Sequence, residues 1–254
     1  VSVGDQNYFL GTNKSMEAKD IFPFHINFDE LTVSYFSLPD WSKGIVYYQI
    51  FPERFENGDS SNDPVNVQDW AYTEDSDLGS EGFFGGDLQG IIDKIDYLKE
   101  LGIGAVYMNP VFESISSHKY DTEDYLKIDD NFGDVEVFKE LIDSASENNI
   151  KIILDGVFNH TGKDFWAFQD IIKNGSGSEY TDWYFIKGFP VEEDDGKAIN
   201  YIGWNGFSHM PKLNVQNESV KKYIEEVVEF YDEMGICGWR LDVANEVPSK
   251  FWIG

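Results

Sequence analysis

Two short apolar runs each end in a carboxylate, and an arginine precedes one of them by two positions. The run in Gly235-Ile236-Cys237-Gly238-Trp239-Arg240-Leu241-Asp242-Val243-Ala244-Asn245-Glu246 closes on Asp242. The run in Ile150-Lys151-Ile152-Ile153-Leu154-Asp155-Gly156-Val157-Phe158-Asn159-His160 closes on Asp155, with His160 close behind. Continuous apolar runs of this length read as buried parallel strands that deliver charged side chains to a rim. Arg240 and Asp242 fall on one face of such a strand, so the guanidinium would favour the ionised carboxylate. An ionised, oriented carboxylate can attack an anomeric carbon or stabilise an oxocarbenium-like transition state. Taken alone, Asp242 is equally well explained as half of a structural ion pair. For Asp155 the structural role is favoured: it would hold Arg240, while a rim His160 donates hydrogen bonds to a sugar hydroxyl.

Elements must carry these groups to one place, and the periodicity supplies them. Ile45-Val46-Tyr47-Tyr48-Gln49-Ile50 predicts a first strand, and Ala105-Val106-Tyr107-Met108 a second. Between them Asp87 caps a predicted helix with apolar Leu88, Ile91, Ile92, Ile95 and Leu98, closing at Gly102. Asp134 caps another, carrying Val137, Phe138, Leu141, Ile142 and Ala145. A third holds Val220, Tyr223, Ile224, Val227, Val228, Tyr231 and Met234, and Gly235 closes it. Strand–helix alternation with apolar strands predicts parallel β/α units. Four strands make half of an eight-fold barrel, whose active groups would sit at its carboxyl edge; an open four-stranded sheet is the rival. A long excursion after Asp155, holding Trp166, Trp183, Tyr184, Trp204 and Phe207, predicts a small inserted subdomain at about residues 158–214. Residues 1–40 read as the remnant of an N-terminal β domain, ahead of a barrel portion at 41–254.

Composition narrows the chemistry further. The formal net charge is −28 over 254 residues, and Arg54 and Arg240 are the only arginines. So acidic a chain repels phosphate backbones and anionic lipid, which speaks against nucleic-acid and membrane-surface partners. Cys237 is the single cysteine, so no disulfide forms within the chain. No apolar run is long enough to span a bilayer. No glycine-rich phosphate loop follows the first strand, which argues against a phosphate-handling α/β enzyme. No signal-peptide pattern opens the chain, favouring a cytoplasmic location, although Val1 is not a start methionine and leaves room for a leader or an earlier domain.

Two loops hold further candidates. His118 and Tyr120 follow the second strand, and Tyr120 could stack on a pyranose face or be an ordinary loop aromatic. Asn57, Asp59, Asn62 and Asp63 crowd oxygen ligands together as Ca²⁺ requires, but not at EF-hand spacing, and such clusters are more often plain turns.

Together these segments resemble the α-amylase family of glycoside hydrolases, most closely its cyclomaltodextrinase, neopullulanase and maltogenic amylase branch. Asp155-Gly156-Val157-Phe158-Asn159-His160 is similar to the family's third-strand motif, and Gly238-Trp239-Arg240-Leu241-Asp242-Val243-Ala244-Asn245-Glu246 to its fourth. Met210-Pro211-Lys212-Leu213-Asn214 resembles the short segment that marks this branch. Tyr48-Gln49-Ile50-Phe51-Pro52-Glu53-Arg54-Phe55 and Ser117-His118-Lys119-Tyr120-Asp121-Thr122 add two more matches. The resemblance implies the first half of a (β/α)8 TIM barrel and retaining hydrolysis of α-glucans, with cyclodextrins, pullulan, starch or maltooligosaccharides as substrate. It implies Asp242 as nucleophile, Arg240 orienting it, and His160, His118 and Tyr120 binding sugar alongside Asp155. Glu246 would line the acceptor side and influence transglycosylation. It further implies a Ca²⁺ site of Asn57, Asp59, Asn62, Asp63, the Gly85 carbonyl and Asp87. It also implies a homodimer formed through the N-terminal domain.

One departure is marked. The family also uses a glutamic acid on the fifth strand as acid/base and an Asp preceded by His on the seventh; neither occurs here. Retaining hydrolysis needs two carboxylates about 5 Å apart. The 254 residues alone are therefore expected not to turn over. A non-catalytic glucan-binding or assembly fragment is the alternative, disfavoured because half a barrel leaves sheet edges and apolar surface uncovered.

Overall fold

The structure, a computed structural model, describes residues 2–3, 6–7, 38–69 and 82–253. The chain divides into two compact units, Val1–Gly44 and Ile45–Gly254. In the smaller, β1 (Ser2–Val3) pairs antiparallel with β2 (Gln6–Asn7). The expected N-terminal β remnant, and the dimer contact assigned to it, otherwise fall outside the described residues.

The larger unit begins with β3 (Tyr47–Ile50), followed by α1 (Leu88–Asp93), α2 (Ile95–Glu100) and β4 (Ala105–Met108). A hairpin of β5 (Phe112–Glu113) and β6 (Asp124–Ile128) leads into α3 (Val135–Glu147) and β7 (Lys151–Gly156). The long excursion contains α4 (Trp166–Asn174) and an antiparallel pair, β8 (Glu193–Asp194) with β9 (Lys197–Ala198). Then come α5 (Glu218–Met234), β10 (Gly238–Leu241) and a short α6 (Ser249–Ile253). Strands β3, β4, β7 and β10 form one parallel sheet, in chain order across it, with β3 and β10 at its edges. Among the described residues no helix is long and apolar enough to cross a membrane.

Local chemistry explains the helices. Asp87, Asp134 and Asn217 each accept a backbone N–H from the first turn of α1, α3 and α5. The inward faces bury Leu88, Ile91, Ile95 and Leu98 from α1 and α2, Phe138 and Leu141 from α3, and Val220, Ile224, Val227 and Tyr231 from α5. These close over Val106, Met108, Ile152 and Leu154 of the sheet in one continuous core. Each such side chain contributes roughly 1.5–3 kcal/mol by leaving water. One expectation needs revision: the single helix capped by Asp87 is two, interrupted at Lys94. The break leaves the apolar stripe in phase, since Ile91, Ile95 and Leu98 all stay buried. The hairpin of β5 and β6 was expected as loop, because two-residue β5 is too short to show a period.

Asp87 does more than cap a helix. Its carboxylate, wholly buried, accepts from Gly90 N at 2.6 Å, Gly58 N at 3.0 Å, Asp59 N at 2.8 Å and Asn62 Nδ2 at 3.3 Å. Asp87→Ala removes the cap and strands buried donors, so it should lower the unfolding free energy by about 2–4 kcal/mol. Urea denaturation checks this; a loss below about 0.5 kcal/mol would show that the carboxylate does not organise this loop.

Candidate active site

The carboxyl ends of β7 and β10 meet around one guanidinium. The parallel register sets Arg240 beside Asp155. Arg240 Nη1 donates to both Asp155 oxygens, at 3.0 and 3.1 Å, and to Asp242 Oδ1 at 2.6 Å. Tyr120 Oη donates to Asp155 Oδ2 at 2.9 Å, and Tyr107 Oη donates to the same oxygen. Burial pushes the Asp155 carboxyl up, while the two tyrosine hydroxyls and Arg240 oppose that shift. Burial and the Asp155 charge push the Tyr120 phenol up to about 12, so it stays a donor. Asp155 therefore sits beneath the site rather than on its wall: it is 0% exposed and faces no open space. The expectation that it touches substrate gives way to the role of fixing Arg240. Asp242 keeps 13% of its side chain exposed, and Val243 after it takes a left-handed backbone (φ 40°, ψ 39°). A β-branched residue adopts that conformation at a cost of about 1–3 kcal/mol, which the local fold must overcome.

His118 and Tyr120 come from the loop between β5 and β6, and a buried ion pair holds that loop. Lys119, 1% exposed and also left-handed (φ 60°), points away from the cleft. Its Nζ donates to Asp129 Oδ2 at 2.7 Å and to the Ser114 carbonyl at 2.9 Å. Where a Cβ on Gly162 would stand, the Asp121 carbonyl lies 2.3 Å away, so the loop packs directly on the backbone after β7. Tyr120 Oη also accepts from Asn109 Nδ2 at 3.0 Å, and Asn109 Oδ1 from Gln49 Nε2 at 2.8 Å. A polar line thus runs from Gln49 on β3 to Asp242 past the end of β10.

The resulting cleft, about 240 Å³, is lined by His118, Tyr120, His160, Trp204, Met210 and Asp242. His160 is 1% exposed, and its Nε2 has no hydrogen-bond partner among the described residues. Burial pushes its imidazole down to about 4, against the pull of Asp242, the Tyr120 backbone and Glu246. Trp204 stacks on it, with ring centroids 5.5 Å apart and planes 20° from parallel. Glu246 reaches this wall through two donors, Trp204 Nε1 at 3.1 Å and Lys212 Nζ at 3.0 Å. Two imidazoles, a phenol, an indole face, a thioether and a carboxylate around a small opening suit a polyhydroxylated neutral ring.

Asn62 Oδ1 is buried and has no hydrogen-bond partner among the described residues. The Asn57 and Asp63 side chains fill the space where a Cβ on Gly85 would stand, both at 2.5 Å, and Asn57 Nδ2 donates to Asp63 Oδ1 at 2.6 Å. Asp59 Oδ1 accepts from Ser61 N at 2.9 Å, and the Asp87 oxygens carry the four donors described above. Among the described residues no three His, Cys, Asp or Glu side chains cluster as a metal site, so a cation here would lean on amide and carbonyl oxygens. The orphaned Asn62 oxygen and the Asp63 carboxylate fit a hard cation, whereas Asn57 turns its amide nitrogen to Asp63 and would offer its oxygen only after a flip.

Of the expected site residues, Asp242, Arg240, His160, His118 and Tyr120 come together at the cleft, with Asp155 below and Glu246 at its side. The sequence reasoning missed Tyr107, Asn159 and Lys212 as participants. Tyr107 carried one signal, a hydroxyl-bearing aromatic inside an apolar strand; Asn159 and Lys212 meet each other across 53 residues of sequence.

The chain is similar to known proteins over most of its length. The family model described as the α-amylase catalytic domain matches residues 49–252. The chain is 47% identical over 250 residues to neopullulanase 2 of Thermoactinomyces vulgaris, covering 98% of this chain and 42% of that protein. It is 52% identical over 221 residues to a cyclomaltodextrinase of Thermoanaerobacter pseudethanolicus, covering 85% and 37%. Among solved structures, the ligand-free cyclic α-maltosyl-(1→6)-maltose hydrolase of Arthrobacter globiformis superposes with a TM-score of 0.80 at 42% identity, over 85% of this chain and 48% of that one. The chain spans less than half the length of these relatives.

His160 makes the fold sensitive to acid. Its folded value of about 4 lies below the ordinary 6.5, so between those pH values the unfolded chain binds the extra proton. Stability should therefore rise with pH across that window. The His160 contribution should be lost on acidification, amounting to about 2 kcal/mol by pH ~4.5. Melting temperatures of the parent and His160→Gln, compared from pH ~4.5 to ~7.5, check this; equal slopes in the two proteins would contradict it.

Proposed function

The chain belongs to the α-amylase catalytic-domain family, and from that membership we propose that it forms the nucleophile-bearing part of a retaining α-glucan hydrolase. The observation that carries the proposal is Arg240, bridging buried Asp155 and cleft-facing Asp242. In this mechanism Asp242 attacks the anomeric carbon of the sugar in the cleft and forms a covalent glycosyl-enzyme. Arg240 aims its carboxylate and keeps it charged, and Asp155 with Tyr107 and Tyr120 keeps Arg240 in place. His118, Tyr120 and His160 bind the ring being cleaved. The leaving oxygen takes its proton from the glutamic acid that the family carries on its fifth strand, outside these four strands. The substrate class follows the named activities of the relatives: α-1,4-linked and α-1,6-linked glucans such as maltooligosaccharides, cyclodextrins and pullulan. Glu246, beside the cleft, lines the acceptor side.

We also propose Ca²⁺ at the loop of Asn57, Asp59, Asn62 and Asp63, with the Gly85 carbonyl and Asp87 completing the set. The ion would contribute stability by tying this loop to the start of α1, away from the reaction.

In a chain that also carries the family's fifth-strand glutamic acid, Asp242→Asn should abolish maltooligosaccharide cleavage, by at least about a thousandfold in kcat, while titration calorimetry still detects substrate binding. Turnover near the parent's would reject Asp242 as nucleophile, and binding without cleavage in the parent itself would favour a glucan-binding role. For the cation, a chelator should lower the melting temperature and added Ca²⁺ restore it, whereas Asn62→Ala and Asp63→Ala should melt lower and ignore both. A melting curve indifferent to chelator would leave the loop as an ordinary turn.

A further inference from the structure

We infer that Lys212 is a positioning residue that decides which nitrogen of His160 carries the proton. The geometry works through an amide. Asn159, 1% exposed, accepts from Lys212 Nζ at its Oδ1, 2.8 Å away. An ammonium has only hydrogens to offer, so the amide oxygen must face it, and the flip of the Asn159 side chain is set by charge. The amide nitrogen then faces His160 Nδ1 at 3.3 Å. That nitrogen also has only hydrogens to offer, so Nδ1 must accept. In a neutral imidazole the proton is then on Nε2, which has no hydrogen-bond partner among the described residues in a ring that lines the cleft, the Tyr120 backbone carbonyl being the acceptor that competes for a ring proton.

Lys212 is itself held at both ends. Its backbone pairs with that of His160 in an isolated antiparallel bridge. Its ammonium is shared between Asn159 and Glu246 Oε2. The other Glu246 oxygen takes the indole N–H of Trp204, whose ring lies against the far side of the same imidazole. The circuit from Glu246 through Lys212 and Asn159 to His160 thus closes on itself through Trp204. It fixes the His160 Nε2–H in a wall shared with His118, Tyr120, Trp204, Met210 and Asp242. A fixed donor suits the lone pair of a sugar hydroxyl, a consequence that rests on the hydrolase proposal; the tautomer itself does not.

Nitrogen–proton multiple-bond NMR on the purified, histidine-labelled protein reads the tautomer without substrate, the His160 signals being those lost in His160→Gln. The parent should show the proton on Nε2. Lys212→Met should shift population to Nδ1 and, in a chain that also carries the family's fifth-strand glutamic acid, lower kcat/KM on maltooligosaccharides about tenfold, the equivalent of one good hydrogen bond. Lys212→Arg should restore both. Asn159→Asp, whose carboxylate can only accept, should place a proton on Nδ1 even with Lys212 present. A parent proton on Nδ1, or a tautomer unchanged in Lys212→Met or Asn159→Asp, would overturn the inference. If Lys212→Met fails to fold, the parent and Asn159→Asp spectra decide alone. Cleavage persisting in Asp242→Asn would sink the hydrolase proposal and leave the tautomer result standing.

Discussion

A carboxylate with no exposed surface, Asp155, is the fixed point of this structure. Withdrawing a charge from water costs several kcal/mol, recovered only with a close counter-charge and fully used lone pairs. Asp155 has both: two oxygens on Arg240 and two phenolic donors on one of them. The donors come from β4, from the loop after β5 and from β10, so the pair is satisfied only when three segments meet in the correct register. Removing Arg240 would leave Asp155 buried without its counter-charge, which is typically far more damaging than losing the net value of the pair. The same guanidinium extends to Asp242, and so the nucleophile's position follows from a condition of folding.

Strained backbone at Lys119 and Val243 belongs to the same design. Both are left-handed, and each adjoins a residue of the cleft wall. Lys119 is held by an ammonium buried against Asp129 and the Ser114 carbonyl, with the Phe132 ring 5.2 Å from its Nζ. That anchor turns His118 and Tyr120 toward the cleft. Val243 turns the chain just after Asp242 and starts the bend that brings Glu246 to Lys212 and Trp204. Local strain is maintained at both places by packed, fully bonded neighbours, as expected where orientation matters more than local comfort.

The sequence was most legible where the physics is local. Asp87, Asp134 and Asn217 each act on N–H groups within three residues, and the caps stand where the helices begin. Period two placed Arg240 and Asp242 on one face, and their 2.6 Å contact follows. Asp155 was harder. Its spacing announces a strand end, but only the β7–β10 register shows that it points under the cleft. Asn159 and Lys212 were invisible as a pair because 53 residues separate them. Helix α4 and the β8–β9 pair went unread for a related reason: their apolar runs are short and interrupted by turns, and their packing comes from neighbours across the excursion. The break at Lys94 left no trace because the apolar stripe continues through it unchanged.

The most direct test of Asp242, steadied by Arg240, as the attacking group is covalent capture. A fluorinated α-maltosyl fluoride slows breakdown of a glycosyl-enzyme enough for the adduct to be located by peptide mass spectrometry. The adduct should lie on Asp242, and Asp155→Asn should slow its formation without moving it. An adduct on any other side chain, or cleavage with no adduct at all, would contradict the account.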